Sequence, residues 1–288
     1  MAVVGSILFG FYAVVAGLLY LTFGGTMTVL AAVLGGSVLL IGAQYKIGKW
    51  GALRSVGAQD MPEDDPRFRE IHRTVENLSD EMGIEKPRLM VADMGVPNAF
   101  AVGRKGAGVV VVSSQLIQLL EKDELDGVIA HELAHIKNRD VVMMVIGQGI
   151  ATIVGLVAQF AIIFAGDNDI ADFFLGIIVG NIVQFLVMLF VLAISRYREY
   201  VADSDAAEYT NNPDAMARAL EKISSGAKQR QQASQSAAQR GGRGQKQDNG
   251  LPDEVAALCI FGGDRGILQT IFATHPPIEK RIEKLRAR

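Results

Sequence analysis

The sequence predicts a mainly α-helical integral membrane protein with a small α/β domain on the cytoplasmic side of the bilayer. Half of its 288 residues are hydrophobic, and the mean hydropathy of +0.25 is above that of ordinary soluble proteins. Four uncharged apolar runs have roughly the length that a helix needs to cross a bilayer. Between the second and the third run, short β-type runs alternate with helical patterns, which indicates the α/β domain.

The first two apolar runs precede Lys46, the first charged residue of the chain. They extend over about Val3–Phe23 and Met27–Ala43 and are separated at Gly24–Thr26. A cleaved signal peptide is the alternative for the first run. That run lacks a basic start, however, and is longer than the apolar part of such a peptide. We therefore predict two transmembrane helices within residues 1–45.

Two further uncharged runs lie between Asp140 and Asp167 and between Asp172 and Arg196. They are joined by a short acidic turn and predict a transmembrane hairpin over residues 141–195. Four amide side chains fall inside these runs: Gln148, Gln159, Asn181 and Gln184. Hydrogen bonding between helices is the preferred explanation for them, and a transport path is the alternative.

Lys and Arg residues near the ends of the runs predict how the chain is oriented. They follow the second run, precede the third and follow the fourth: Lys46, Lys49, Arg54, Lys137, Arg139, Arg196 and Arg198. The turns of the two hairpins carry none. Because such residues are enriched in cytoplasmic loops, we expect the amino terminus and residues 46–140 and 196–288 in the cytoplasm. The protein is thus predicted to be a multi-pass protein of the cell membrane.

The segment after the second run has the patterns of a small α/β unit. Pro66–Glu81 shows the apolar spacing of a helix, and so does Glu121–Asn138. Three short β-type runs lie between them, at Leu89–Val91, Phe100–Val102 and Val109–Val112, separated by Gly and Pro. This unit and the helix that follows it form the predicted cytoplasmic part up to residue 140.

The last part of the chain, residues 196–288, is predicted to be helical with one disordered loop. Ser224–Gly250 contains no apolar residue larger than Ala, so it is expected to remain disordered because it cannot bury a core. A basic lipid-binding or regulatory tail is the alternative for this loop. Order is expected to return at Leu251, and a short amphipathic helix, Ile278–Leu285, follows near the end of the sequence.

Composition argues against nucleic-acid binding and excludes a Cys-rich metal site. The net charge of −3 argues against nucleic acid as a partner. Cys259 is the single cysteine, so a Cys-rich metal site is excluded. A metal site must therefore use carboxylates and the four histidines: His72, His131, His135 and His275.

One motif carries a clear chemical meaning: His131-Glu132-Leu133-Ala134-His135. Because residues i and i+4 share one face of a helix, both imidazoles can bind a single cation. Zinc is expected, since it accepts neutral imidazoles and lowers the pKa of a bound water toward neutrality. Glu132 would act as general base on this water and then return the proton to the leaving amine. Ordinary core or surface histidines are the alternative.

Chain spacing favours Glu199 as the third metal ligand. His135 lies six residues before the third run, and Glu199 lies four residues after the fourth. If both helices continue beyond the bilayer, the two residues lie about 9 Å and about 6 Å above its surface, at roughly 1.5 Å per residue. An antiparallel hairpin would place them side by side. The alternative is a surface pairing of Glu199 with Arg196 or Arg198.

Two aspartates near these residues have less direct roles. Asp203 lies one helical turn after Glu199, where it can accept the free ring N–H of a ligating histidine. The alternative is that Asp203 and the neighbouring Asp205 are simply solvated. Asp140 directly precedes the third run and is interpreted as an interfacial helix cap rather than a ligand.

Three segments, by their sequences and their order along the chain, resemble the HtpX family of membrane zinc proteases. This family is related to the type 1 CAAX prenyl proteases. The three segments are His131–His135, Ser195–Asp203 and Thr274–Pro277. The resemblance extends over nearly the whole chain, including the placing of the four apolar runs. It implies a gluzincin-like zinc protease domain that binds one Zn²⁺ per subunit, with Glu199 as third ligand.

The resemblance also implies roles for residues outside the motif. An edge strand around Pro97–Ala101 would hold the substrate backbone, with Asn98, Ala99 and Phe100 as binding residues. For Asn98, a turn residue after Pro97 is the alternative. His275 and Arg281 would face the tetrahedral intermediate as electrophilic helpers. His275 has a second reading, capping of the last helix.

The implied activity is hydrolysis of misfolded or damaged membrane proteins at the cytoplasmic face, as part of protein quality control under stress. Partners would be the lipid bilayer and membrane-protein substrates, and exposed loops would be targets of self-cleavage. One alternative is a catalytically silent scaffold or chaperone with structural zinc, which would have no need of Glu132. The other is a transporter or channel, although the runs lack the charged residues such pathways usually need.

Overall fold

A computed structural model describes residues 26–167, 169–239 and 275–288. The predicted first apolar run and the predicted return of order at Leu251 lie outside the described residues. Described elements follow in this order: α1 (Met27–Ser55), β1 (Gln59–Asp60), α2 (Arg69–Glu81), β2 (Arg88–Ala92), β3 (Ala99–Val102), β4 (Val109–Ser113), α3 (Ser114–Leu119), α4 (Lys122–Lys137), α5 (Asp140–Ala165), α6 (Ile170–Thr210), α7 (Pro213–Gln239) and α8 (Ile278–Arg286).

The chain divides into two compact units. One comprises the described residues within 1–50 and 143–194 and is called the helical unit here. The other comprises residues 51–142 and 195–288 and is called the sheet unit, because it contains the four strands.

The sheet has the strand order β1-β2-β4-β3. β2 and β4 are parallel, whereas β1 and β3 are antiparallel to their neighbours. β4 consists of four consecutive valines and a serine, all buried, as expected of a central strand covered on both faces. β3 forms one edge, and within the described ranges β4 is its one partner.

Alternate residues of β4 pack into two separate cores, because successive side chains of a strand point to opposite faces. Val110 and Val112 belong to the larger core, which also contains buried residues of the helices: Val75, Val128, Leu133, Leu220 and Leu285. Val109 and Val111 face a smaller core with Phe100. The larger core therefore holds α2, α4, α7 and α8 around one face of the sheet.

Among the residues that the structure describes, two helices are long and apolar enough to cross a membrane. They are α5, with 26 residues, and α6, with 41 residues. Only 17% and 11% of their most apolar windows are buried, so they do not resemble core helices of a soluble protein. The prediction of a mostly helical chain with membrane-capable helices is confirmed. Residues 196–210 continue α6 as a polar segment beyond its apolar part.

Within the helical unit, α5 and α6 pack closely through glycines. A Cβ added at Gly180 would lie 2.7 Å from the Gly155 carbonyl oxygen, and one at Gly155 would lie 2.9 Å from that of Gly180. Small residues that let two backbones approach are typical of membrane helix pairs. The Gln184 side chain donates a hydrogen bond to Thr152 Oγ1 at 3.3 Å. This is the interhelical bonding that the sequence predicted for Gln184.

The prediction of a disordered loop over Ser224–Gly250 is wrong for its first part. Helix α7 continues to Gln239, because Ala, Gln, Lys and Arg are good helix formers. Residues 240–250 lie outside the described residues. The predicted short helix Ile278–Leu285 is confirmed as α8, which ends one residue later.

Candidate metal centre

Helix α4 carries the histidine motif, and its start is firmly held. Glu121 and Glu124 form a capping box, in which each side chain accepts a hydrogen bond from the backbone N–H of the other residue. Glu124 is fully buried, and its Oε2 accepts a hydrogen bond from Lys222 of α7 at 2.7 Å. Its Oε1 lies 3.4 Å from Arg218 Nε. These contacts fix α4 against α7.

Three side chains of the sheet unit converge on one point. The Nε2 atoms of His131 and His135 lie 3.1 Å apart. From α6, Glu199 places Oε2 3.7 Å from His131 Nε2 and Oε1 3.6 Å from His135 Nε2. One ligand atom from each residue lies within 4.8 Å of the others. The structure thus brings together the two motif histidines and Glu199.

The donor set fits a divalent metal ion. Two imidazole nitrogens at this separation face the same space, and tetrahedral zinc would hold two such nitrogens about 3.4 Å apart. Glu199 Oε2 is buried, and within the described part of the chain it makes no well-aligned hydrogen bond, although it lies 3.1 Å from the charged Arg281 Nη1. Two neutral nitrogens and one carboxylate oxygen are a common ligand set of catalytic zinc.

Asp203 and Arg281 surround the outer side of this cluster. Asp203 Oδ1 lies 3.0 Å from His131 Nδ1. Arg281 donates to both oxygens of Asp203, from Nε at 2.8 Å and from Nη2 at 2.7 Å. Its Nη1 lies 3.1 Å from Glu199 Oε2. Arg281 is fully buried, so one guanidinium holds both carboxylates in place.

These contacts shift the ionisation of the site. Burial alone would lower the pKa of His131, but hydrogen bonds to Asp203 and Glu199 outweigh it and raise this pKa to about 9. Burial would raise the pKa of Asp203, but the Arg281 charge and the His131 contact lower it to about 2. The pKa of Glu199 is held well below its ordinary value, because His275 and Arg281 outweigh its burial.

The raised pKa of His131 predicts a steep pH dependence of metal binding. Below pH 9 the folded, metal-free protein holds a proton on His131 that the metal must displace. We expect zinc affinity to rise about tenfold per pH unit from pH 6.5 to pH 9 and then to level off. Competition with a chromophoric chelator at several pH values measures this. An affinity independent of pH in this window would contradict the prediction.

The remaining predicted site residues lie in three places. Glu132 is buried on α4 beside His131, close enough for its charge to act on Arg281. His275 Nδ1 lies 3.0 Å from Glu199 Oε1, and its side chain is 20% exposed. Asn98 is fully buried before the edge strand, where its backbone N–H donates to Ser113 Oγ at 2.8 Å. Two buried residues of β3 follow it: Ala99 and Phe100.

Asp140 stands in the first turn of α5, as the interpretation of a helix cap requires, and its side chain has contacts that the sequence did not predict. Asp140 Oδ2 lies 2.5 Å from Nδ1 of the ligand candidate His135. Its other oxygen, Oδ1, forms an ion pair with Arg198 Nε at 2.7 Å. Sequence reasoning missed this contact because residues five apart do not share a face of a continuous helix.

Residues 65–288 match the protein family described as "Peptidase family M48". The chain belongs to this peptidase family. Family M48 enzymes are metalloproteases, so the chain is a metalloendopeptidase whose family implies a metal that is typically zinc. The predicted resemblance to the HtpX family is confirmed by curated relatives.

Two of these relatives show the extent of the similarity. A protease HtpX homolog of Halobacterium salinarum is 60% identical over 100% of both chains. A protease HtpX homolog of Pyrococcus furiosus is 38% identical over 82% of this chain and 77% of its own length.

A solved structure shares the fold of this M48 peptidase. The crystal structure of S. mikatae Ste24p matches with a TM-score of 0.59 and 18% sequence identity. The match covers 98% of this chain, which spans 63% of the length of that structure.

Proposed function

We propose that the chain is a zinc-dependent endopeptidase of the cell membrane that cuts misfolded or damaged membrane proteins at the cytoplasmic face. The observation that carries this proposal is the convergence of two imidazoles and a carboxylate, with a buried Glu132 between the two histidines in sequence. A purely structural metal site has no need of such an additional carboxylate. The arrangement therefore supports catalysis over a silent scaffold.

His131, His135 and Glu199 are the proposed metal ligands, and Asp203 is proposed to orient His131. When bound, a zinc ion would lower the pKa of a water molecule toward neutrality and polarise the scissile carbonyl. The Asp203 carboxylate, 3.0 Å from His131 Nδ1, is placed to accept a hydrogen bond from a proton on Nδ1, which would leave Nε2 free to bind the metal.

Glu132 is the proposed proton carrier. Its Oε atoms would take a proton from the attacking water and deliver it to the leaving amine nitrogen. Burial removes competing solvent from this carboxylate and lets it act on a single water.

The edge strand β3 is the proposed substrate platform. An extended peptide can add to the backbone of an exposed sheet edge, which orders it without demanding a particular sequence. Ala99 and Phe100 are buried, so their backbone rather than their side chains would contact substrate. Asn98, which precedes them, is also fully buried and holds the start of the strand through Ser113.

His275 and Arg281 receive different proposed roles. His275 is partly exposed beside Glu199, so its imidazole can reach a substrate oxygen that gains negative charge. Arg281 is fully buried, and its guanidinium is bound to Asp203 and Glu199. We therefore assign it to holding these carboxylates instead of to contact with the substrate.

Positive charges around the apolar runs support a cytoplasmic site. They include Lys49, Arg54, Arg196 and Arg198, which flank the membrane-capable segments. A site close in sequence to two such segments favours substrates that are themselves tethered to the membrane, because tethering raises their effective concentration. Exposed loops of a second copy of the enzyme are tethered to the membrane in the same way, which supports self-cleavage.

The test uses enzyme reconstituted in vesicles with a single-span substrate that carries an unfolded segment. We expect at least about tenfold faster cleavage of the tethered segment than of the same segment free in solution. Chelator should abolish cleavage, and zinc should restore it. A substrate with the reverse orientation should remain intact. Cleavage that resists chelation, or equal cleavage in both orientations, would contradict the proposal.

A further inference from the structure

We propose that Asp140, held by Arg198, is a positioning residue that orients the metal ligand His135. This inference rests on the proposed metal site and adds two residues to it. The Asp140 carboxylate is 3% exposed and places Oδ2 2.5 Å from His135 Nδ1. A proton at Nδ1 would leave His135 Nε2, which faces His131 and Glu199, free to bind a metal.

The two motif histidines have matching surroundings. His131 Nδ1 is next to Asp203, which is held by Arg281. His135 Nδ1 is next to Asp140, which pairs with Arg198 at 2.7 Å. In each case a carboxylate fixes the ring and an arginine fixes the carboxylate. Such partners set the tautomer and the orientation of a ligating imidazole.

The backbone at Arg139 makes the second arrangement possible. Arg139 has φ of 56°, a left-handed conformation that is uncommon for residues other than Gly. Helix α4 ends at Lys137 and α5 begins at Asp140, so Asn138 and Arg139 interrupt the helix between His135 and Asp140. Because of this turn, Asp140 reaches back to a residue five positions earlier. Unusual backbone of this kind is often associated with function.

The alternative is that Asp140 serves only to start helix α5. An acidic residue in the first turn of a helix stabilises it through the helix dipole. That role would require neither the short contact with His135 nor the ion pair with Arg198. The two roles predict different effects of replacing Asp140. Loss of a helix-starting residue lowers the stability of the fold, whereas loss of a positioning residue lowers metal affinity.

The test measures zinc and cobalt affinity of the metal-free, full-length protein in detergent, together with its thermal unfolding. We expect Asp140→Asn to weaken zinc binding tenfold to a hundredfold and to change the visible spectrum of bound cobalt. Asp205→Asn is the matched control, since Asp205 contacts Lys137 and Asn138 at the same end of α4 but is in contact with no proposed ligand. It should leave affinity within about twofold of the wild type.

A lower unfolding temperature of Asp140→Asn with unchanged zinc affinity would overturn the inference, because it would show a structural role alone. Arg198→Gln is expected to weaken zinc binding in the same direction, by a smaller factor. If the wild type bound no metal, the proposed function itself would fail. If the wild type bound zinc and Asp140→Asn bound it equally well, only the inference would fail.

Substitution of Arg139 tests the backbone requirement separately. The Arg139 side chain is exposed, so replacing it removes little packing. Arg139→Gly should keep zinc affinity within about twofold, because Gly adopts positive φ freely. Arg139→Val should weaken binding severalfold, because a β-branched residue is strained there. Equal affinity of the two variants would show that this turn does not position Asp140.

Discussion

Replacing Glu132 with glutamine is expected to reduce peptide hydrolysis by about 10²- to 10⁴-fold while the protein keeps its metal. Glutamine has nearly the same shape as glutamate but cannot accept a proton from water at neutral pH. Metal content should stay near one equivalent, because Glu132 is not among the side chains that converge on the metal position. Metal analysis and cleavage of a membrane-tethered substrate, measured on the same preparation, check both parts.

A matched control for this variant is Glu121→Gln. Glu121 is the N-cap residue of the same helix, and it precedes the first motif histidine by more than two helical turns. Hydrolysis should change little, and any loss of stability should resemble the loss of a helix cap, about 1 kcal/mol. Unchanged hydrolysis by Glu132→Gln would refute the proton-transfer role. Loss of metal from this variant would assign Glu132 to metal binding.

Arg281→Met is expected to have the largest effect on stability. Glu199 and Asp203 are buried and share this one guanidinium, so its removal leaves two carboxylates in a dry environment. Breaking a buried ion pair in this way costs about 3–5 kcal/mol. The protein should unfold at a lower temperature and should bind zinc more weakly, because Glu199 loses its orientation.

Two further substitutions make the Arg281 prediction specific. Arg281→Lys keeps the charge but has no planar fork to hold two carboxylates, so we expect an intermediate loss. Arg286 lies on the same helix, is half exposed and pairs with Glu221 at the surface. Arg286→Met should change the unfolding temperature little. Equal effects at the two arginines would show that helix docking, rather than the carboxylate contacts, matters at Arg281.

The residues of the candidate metal site were predictable because local rules govern them. Helical periodicity alone places His131 and His135 on one face, and this spacing needs no knowledge of the fold. Glu199 followed from counting residues from the ends of two apolar runs. These three residues converge in the structure, although their roles as ligands remain a proposal.

The Asp140 contact was not predictable, because it occurs across the break between α4 and α5, where Arg139 has a positive φ that no local pattern specifies. The placement of Arg281 likewise depends on where α8 docks, which no local pattern specifies. The helical conformation of residues 224–239 was not predicted, because a segment without large apolar residues cannot bury a core, whereas helix propensity extends α7.

The sheet also has features that could be predicted from the sequence and features that could not. Its three longer strands were predicted from short β-type runs, since β-branched residues between glycines and prolines are a local signal. The sequence did not predict the strand order β1-β2-β4-β3 or the parallel pairing of β2 with β4. They depend on contacts between residues far apart in the chain.

The position of Arg281 in the chain has a consequence for biosynthesis. This arginine contacts Asp203, 78 residues earlier, and lies beside His131, 150 residues earlier. During translation the motif histidines therefore leave the ribosome long before the guanidinium that completes their surroundings. A nascent chain that ends before residue 281 lacks the guanidinium that contacts Asp203 and Glu199. We therefore expect the proposed metal site to be completed, and the enzyme to become active, only after α8 has been synthesised and has docked.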